Sequence, residues 1–115
     1  MLLSAEEHDR LVAAISHLPY VLSVALMRAA MEAAEEDERL WPLAAGGFRD
    51  TSRLAASDVS MSLDILMTNR ENVLEKVRLF TKHLERLQRL LEEGDETGLR
   101  EIMGAGRRKR RKMFL

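Results

Sequence analysis

The sequence contains no cysteine. That excludes a disulfide framework, a thiolate metal centre and a cysteine nucleophile together, and it suits a reducing, cytoplasmic setting. Aromatics are scarce, with one Trp, one Tyr and three Phe, and β-branched residues are sparse, so the usual material of strands is missing. Two prolines and six glycines among 115 residues are too few for a low-complexity chain. Neither sign of charge prevails. The 18 Lys and Arg against 19 Asp and Glu leave a formal net charge of −1, so no global field draws in nucleic acid or a membrane surface. No apolar run approaches the roughly 20 residues of a spanning helix, and no basic-then-apolar start marks a signal peptide. Also missing are G-x-G-x-x-G after a strand, a P-loop, G-x-S-x-G and H-E-x-x-H. His8, His17 and His83 stand too far apart for a metal-ligand spacing.

What is present is helix material. Ala, Leu, Glu, Arg and Met dominate, and 46% hydrophobic with 32% charged residues describes a folded, all-α chain. Its length fits one domain. Ser4-Ala5-Glu6-Glu7 reads as a capping box. Leu11, Val12, Ile15, Leu18, Leu22, Ala25 and Leu26 then recur at helical spacing to about Ala34, and Pro19 predicts a kink or break around His17 to Pro19. Glu35 to Gly47 reads as a polar link with a short turn, because Trp41-Pro42 disfavours helix at Trp41 and Gly46-Gly47 permits positive φ. Phe48 to Ala56 fits either a short helix or an ordered loop. Ser57 or Asp58 can cap a helix through Leu66, and Thr68-Asn69-Arg70-Glu71 has the form of a second capping box.

Val73, Val77, Phe80, Leu84, Leu87 and Leu91 follow a 4-3-4-3-4 spacing, the narrow seam of a helix that meets one partner helix. Gly94 is placed to stop it, and a short helix follows from Asp95 to about Arg107. The expected organisation is a helical domain over 1–106 and a basic, unstructured tail over 107–115. The tail has six basic residues, Arg107 to Lys112, with no interleaved aromatic, and this argues against nucleic-acid binding. So much apolar helix surface on a small chain predicts a homodimer.

Candidate chemistry is limited. His8 lies in the first turn of a helix, where a protonated imidazole opposes the macrodipole, and His83 reads as a surface residue. His17 sits at the proline, where an imidazole can either satisfy the fold or face a pocket. Arg49 and Arg53 stand four apart after the double glycine, with Asp50 able to pair with Arg53. That group suits bidentate binding of a carboxylate or phosphate, or else a surface ion pair.

Two stretches then resemble one family. Glu7-His8-Asp9-Arg10 through Ser16-His17-Leu18-Pro19 is similar to the segment that opens the helical C-terminal domain of prephenate and arogenate dehydrogenases, whose core is HD followed by SHLP. Ala44-Ala45-Gly46-Gly47-Phe48-Arg49-Asp50-Thr51-Ser52-Arg53-Leu54-Ala55 resembles the family's AGGFRDxTRIA, and Ser57-Asp58, Met61, Asp64-Ile65 and Asn69-Arg70 continue it. The resemblance implies a helical dimerisation domain, like the C-terminal domains of 6-phosphogluconate dehydrogenases, with a kinked first helix and one long C-terminal helix. It implies oxidative decarboxylation of prephenate or arogenate with NAD or NADP on the route to tyrosine. The dinucleotide and the catalytic histidine would come from an N-terminal Rossmann domain that this chain lacks, so no cofactor is expected here. By the same resemblance Arg53 binds a substrate carboxylate, Asp50 belongs to its ionic network, His17 and Tyr20 line the pocket, and Gly46 and Gly47 let backbone approach it. Tyr20 stands where the family has the second histidine of SHLPH; it can donate a hydrogen bond but carries no positive charge near neutral pH. Val59 and Ser62 stand where the family often has Pro and Trp. The alternative to the enzyme is a stand-alone helical dimer that serves as a binding or regulatory module.

Overall fold

The computed structural model describes residues 2–114, and among them every regular element is helical. The first helix starts as its capping box requires. The Ser4 hydroxyl accepts from the Glu7 N–H at 3.1 Å, and the Ser4 N–H donates to the Glu7 carboxylate at 3.0 Å, which holds that carboxyl below its ordinary range. Helix α1 spans Ala5–Val12, and α2 spans Leu18–Glu36. The expected kink or break around His17 to Pro19 takes the form of a wider turn and not of an interruption. A π turn over Ala13–His17 joins the two, and the Leu18 N–H bonds five residues back to the Ala13 carbonyl. The wider turn resets the ladder so that Pro19 falls in the first turn of α2, where its missing N–H has no partner to lose. Because Pro19 does not split it, the helix from Ala5 to Glu36 contains an 18-residue stretch of mean hydropathy 1.5. By length and composition that stretch is enough to cross a bilayer, contrary to the expectation of no such helix. In this fold, however, its face packs on the chain's own short helices.

Three further expectations change. Trp41 and Pro42 lie within a one-turn helix, α3, Leu40–Leu43, because the third residue of a first turn needs no N–H donor. Gly46 and Gly47 open α4, Gly46–Ser52, with ordinary helical backbone, since the extended Ala45 makes the turn before them; the only positive φ among the described residues is at Gly94. Thr68 does not cap a helix. It ends α5, Val59–Thr68, which Asp58 caps by accepting from the Met61 N–H at 2.8 Å. The long helix α6, Arg70–Glu93, starts one residue later than a Thr68 cap requires, with the Asn69 carbonyl accepting from the Val73 N–H. A 3-10 turn, Arg53–Ala56, follows α4.

The chain divides into two units, one up to Val77 and one from Arg78, so that α6 contributes to both. In the first, Ala13 and Val73 are buried apolar residues, and Ser23, Ser62 and Asn69 are buried polar ones. Ser23 ties α2 to α4 by donating its hydroxyl to the Thr51 carbonyl at 2.8 Å. The second unit is a helical hairpin of the end of α6 and α7, Glu96–Met113. Its turn is a Schellman motif: the Gly94 N–H reaches the Leu91 carbonyl and the Asp95 N–H the Leu90 carbonyl, with Gly94 at φ 65. Leu90 is buried, whereas seam residues Leu84 and Leu91 are 54% and 68% exposed. The turn into α7 thus covers Leu90, which lies outside the predicted seam, while seam residue Val73 is buried and Phe80 and Leu87 are half-buried. Arg107 to Lys112, expected to be unstructured, form the last turns of α7. Basic side chains favour a helix C-terminus, and the Arg110 guanidinium lies 4.1 Å over the Phe114 ring.

Two glycines of the hairpin fail differently when replaced. Gly94→Ala meets no atom but holds a left-handed backbone, and should cost about 1–2 kcal/mol. The methyl of Gly98→Ala would lie 2.8 Å from both the Leu90 and Asp95 side chains, so it should also loosen the Asp95 cap. Urea denaturation of both variants checks this, with loss of hydrogen-exchange protection at the Gly98 amide expected only in Gly98→Ala.

Candidate functional site

The first unit carries a cleft of about 260 Å³ whose walls are mainly apolar. His17 and Tyr20 reach it from one helix because the π turn ends at His17 and α2 begins one residue later. Leu54 from the 3-10 turn, and Ser62 and Ile65 from α5, complete it. A second cleft of about 310 Å³, lined by His8, Asp9, Asp64 and Asn69, also touches His17, so the imidazole stands in the wall between the two.

Asn69 fixes that wall. It is 8% exposed, and its amide nitrogen donates to the Asp9 carbonyl at 2.8 Å and lies 3.2 Å from His17 Nδ1. Its oxygen accepts from the Asn72 amide at 2.8 Å. Residue spacing gave no warning of this role, and Asn69 entered the sequence reading only as part of a capping box and of the second family stretch.

The arginine group is arranged differently from the expectation. Arg53 and Asp50 form no ion pair. Arg49 Nε instead lies 3.9 Å from Asp50 Oδ1, and both side chains are about four-fifths exposed, a contact that adds little stability. Among the described residues no hydrogen bond or ion pair occupies the exposed Arg53 guanidinium. Arg53 does not line the 260 Å³ cleft, but its neighbour Leu54 does. Gly46 and Gly47 do not line it either. A methyl group on Gly47 would meet nothing within 4 Å, so the double glycine leaves open space in front of α4. Thr51 and Ser52 return their hydroxyls to the Gly47 and Phe48 carbonyls at 2.8 and 2.7 Å, and Phe48 meets Trp41 edge-on with ring centres 6.2 Å apart. These contacts fix the short helix that leads to Arg53.

The arrangement offers an apolar slot, an imidazole, a phenol and a free guanidinium. No group of side chains among the described residues could hold a metal ion, and no strand is present to lead into a dinucleotide-binding turn. Ser23→Ala would leave the Thr51 carbonyl without its buried donor and should cost about 1–3 kcal/mol, with loosening confined to α4 and the 3-10 turn in hydrogen exchange.

Comparison with known proteins places these features. The family model for the prephenate dehydrogenase dimerization domain matches residues 4–105. The prephenate dehydrogenase of Lactococcus lactis subsp. cremoris is 33% identical over 98% of this chain and 32% of its own length, so the chain spans about a third of that relative. The crystal structure of Synechocystis arogenate dehydrogenase superposes with a TM-score of 0.90 at 30% identity, covering 98% of this chain and 41% of that one. Prephenate dehydrogenase from A. aeolicus, in complex with hydroxyphenyl propionate and NAD+, gives 0.85 at 34% identity over 96% of this chain and 39% of that one.

Proposed function

The chain belongs to the prephenate dehydrogenase dimerisation-domain family, and we propose that it builds the homodimer interface and one wall of the substrate pocket of a cytoplasmic prephenate or arogenate dehydrogenase. The observation that carries the reading is the unoccupied Arg53 guanidinium beside a wall residue of an apolar cleft that also presents His17 and Tyr20. A ring bearing carboxylates needs both kinds of surface. Its ring loses water in the slot, and a carboxylate takes two parallel N–H donors from the guanidinium fork. The A. aeolicus relative is described with a ligand of that type, a phenol ring carrying a propionate, together with NAD+. Here His17 and Tyr20 line the slot and offer hydrogen bonds, and Gly46 and Gly47 keep the approach to Arg53 open. Asp50 acts on the pocket's charge rather than as the direct partner of Arg53. NAD or NADP supplies the hydride acceptor from the N-terminal dinucleotide-binding domain of the full enzyme. In the enzyme carrying both domains, Arg53→Ala should weaken prephenate binding about ten- to hundredfold by calorimetry, with Arg53→Lys recovering part of the loss. Unchanged affinity would remove Arg53 from the site.

The dimer follows from what the chain leaves uncovered. Val59, Leu63 and Met67 stand four apart along α5 and are 73%, 55% and 55% exposed. On α6, Leu84 and Leu91 form a second uncovered stripe. A partner chain that removes these side chains from water gains roughly 25 cal/mol for each Å² of apolar surface buried. Sedimentation velocity at micromolar concentration should therefore show a dimer, and Leu63→Asp should shift it toward monomer. A wild-type monomer under those conditions rules the dimer out.

A further inference from the structure

The hydrogen bonds of Asn69 determine which nitrogen of His17 carries the proton. The Asp9 carbonyl, as a backbone oxygen, can only accept. The end of the Asn69 amide that approaches it at 2.8 Å is therefore the nitrogen. That nitrogen is also the atom 3.2 Å from His17 Nδ1. An amide NH2 has two hydrogens and no accepting lone pair, so it can meet the ring only where Nδ1 is bare. The remaining end of the amide, Oδ1, is held by the Asn72 side chain at 2.8 Å, which opposes a flip. All three contacts surround a side chain with 8% exposure, so water competes weakly for them. Neither carboxylate of the adjoining cleft, Asp9 or Asp64, bonds the ring among the described residues; that of Asp9 lies 3.5 Å from His8 instead.

We propose that Asn69 is a positioning residue that keeps neutral His17 in the tautomer with the proton on Nε2, so that the cleft presents a hydrogen-bond donor to its occupant. Nδ1 is engaged by Asn69, and Nε2 is the nitrogen left for a ligand. The occupant must then bring an acceptor oxygen, a carboxylate or a hydroxyl. The opposite tautomer would present a lone pair and repel such an oxygen. Asn72 acts one step further out, by preventing the Asn69 amide from turning over. The use made of the donor rests on the substrate-wall reading above. The tautomer itself is a property of the chain without ligand.

The test is therefore made on the chain alone. Long-range 15N correlation spectra of the labelled protein are recorded at a pH where imidazoles are neutral, with His17 assigned by the signals that vanish in His17→Gln. The wild type is expected to show a bare Nδ1 and a protonated Nε2. Asn69→Asp replaces the donor with an acceptor and should reverse the pattern to Nδ1–H. Asn69→Ala should weaken the wild-type preference by about tenfold, giving a visible mixture. A wild-type ring protonated on Nδ1 overturns the proposal, and so does an Asn69→Asp variant with the wild-type pattern. Should substitutions at Asn69 unfold the unit, the wild-type spectrum decides alone. Since no ligand is present, this outcome stands apart from the Arg53 calorimetry: either can fail while the other holds.

Discussion

The fold of the first unit depends on how a long helix accommodates a residue with no N–H. Pro19 cannot donate to the Ile15 carbonyl, and its ring would crowd that carbonyl in an unbroken α-helix. The chain meets the constraint with the π turn at Ala13–His17 and stays helical on both sides. A break here would have separated His17 from Tyr20 and from the length of α2 that bears Ser23. Because the helix continues, the same rod lines the cleft with one part and grips α4 through Ser23 with another.

The interior that results is unusual in its balance. Three polar residues, Ser23, Ser62 and Asn69, are as deeply buried as the apolar Val73 and Leu90. Ser23 and Asn69 make directed bonds to main-chain carbonyls across the unit. Such bonds add modest net stability but select one arrangement, because leaving them unmade is costly. Large apolar side chains meanwhile remain at the surface on α5 and α6. Directed polar bonds fix the geometry within the chain, and large apolar side chains stay at its surface.

Much of this was legible in the sequence, for physical reasons that differ by residue. Ser4-x-x-Glu7, Asp58 and Gly94 each act on groups three or four residues away, so their signals survive without any tertiary information. The all-α class followed from composition, and the family from two motifs in order, which the 4–105 match bears out. Pro19 marked where the first helix is disturbed, but proline excludes one hydrogen bond without specifying whether the helix stops or widens. The six basic residues at the end resembled a disordered tail, yet the macrodipole favours them where they are. Pairing of Asp50 with Arg53 is not made, and Asp50 stands instead beside the adjacent Arg49. Asn69 was out of reach because its partners lie up to 60 residues away.

The turn at Gly94 sets the order in which this chain can assemble. Every contact that closes the hairpin lies within a few residues of Leu90, so little chain entropy opposes it, and such local structure forms in about microseconds. The bond from Asn69 to Asp9 closes a loop of 60 residues and must wait for α1, α2 and α5 to meet. The segment around His17 therefore waits for a partner 52 residues further along the chain, whereas the turn at Gly94 needs only residues beside it.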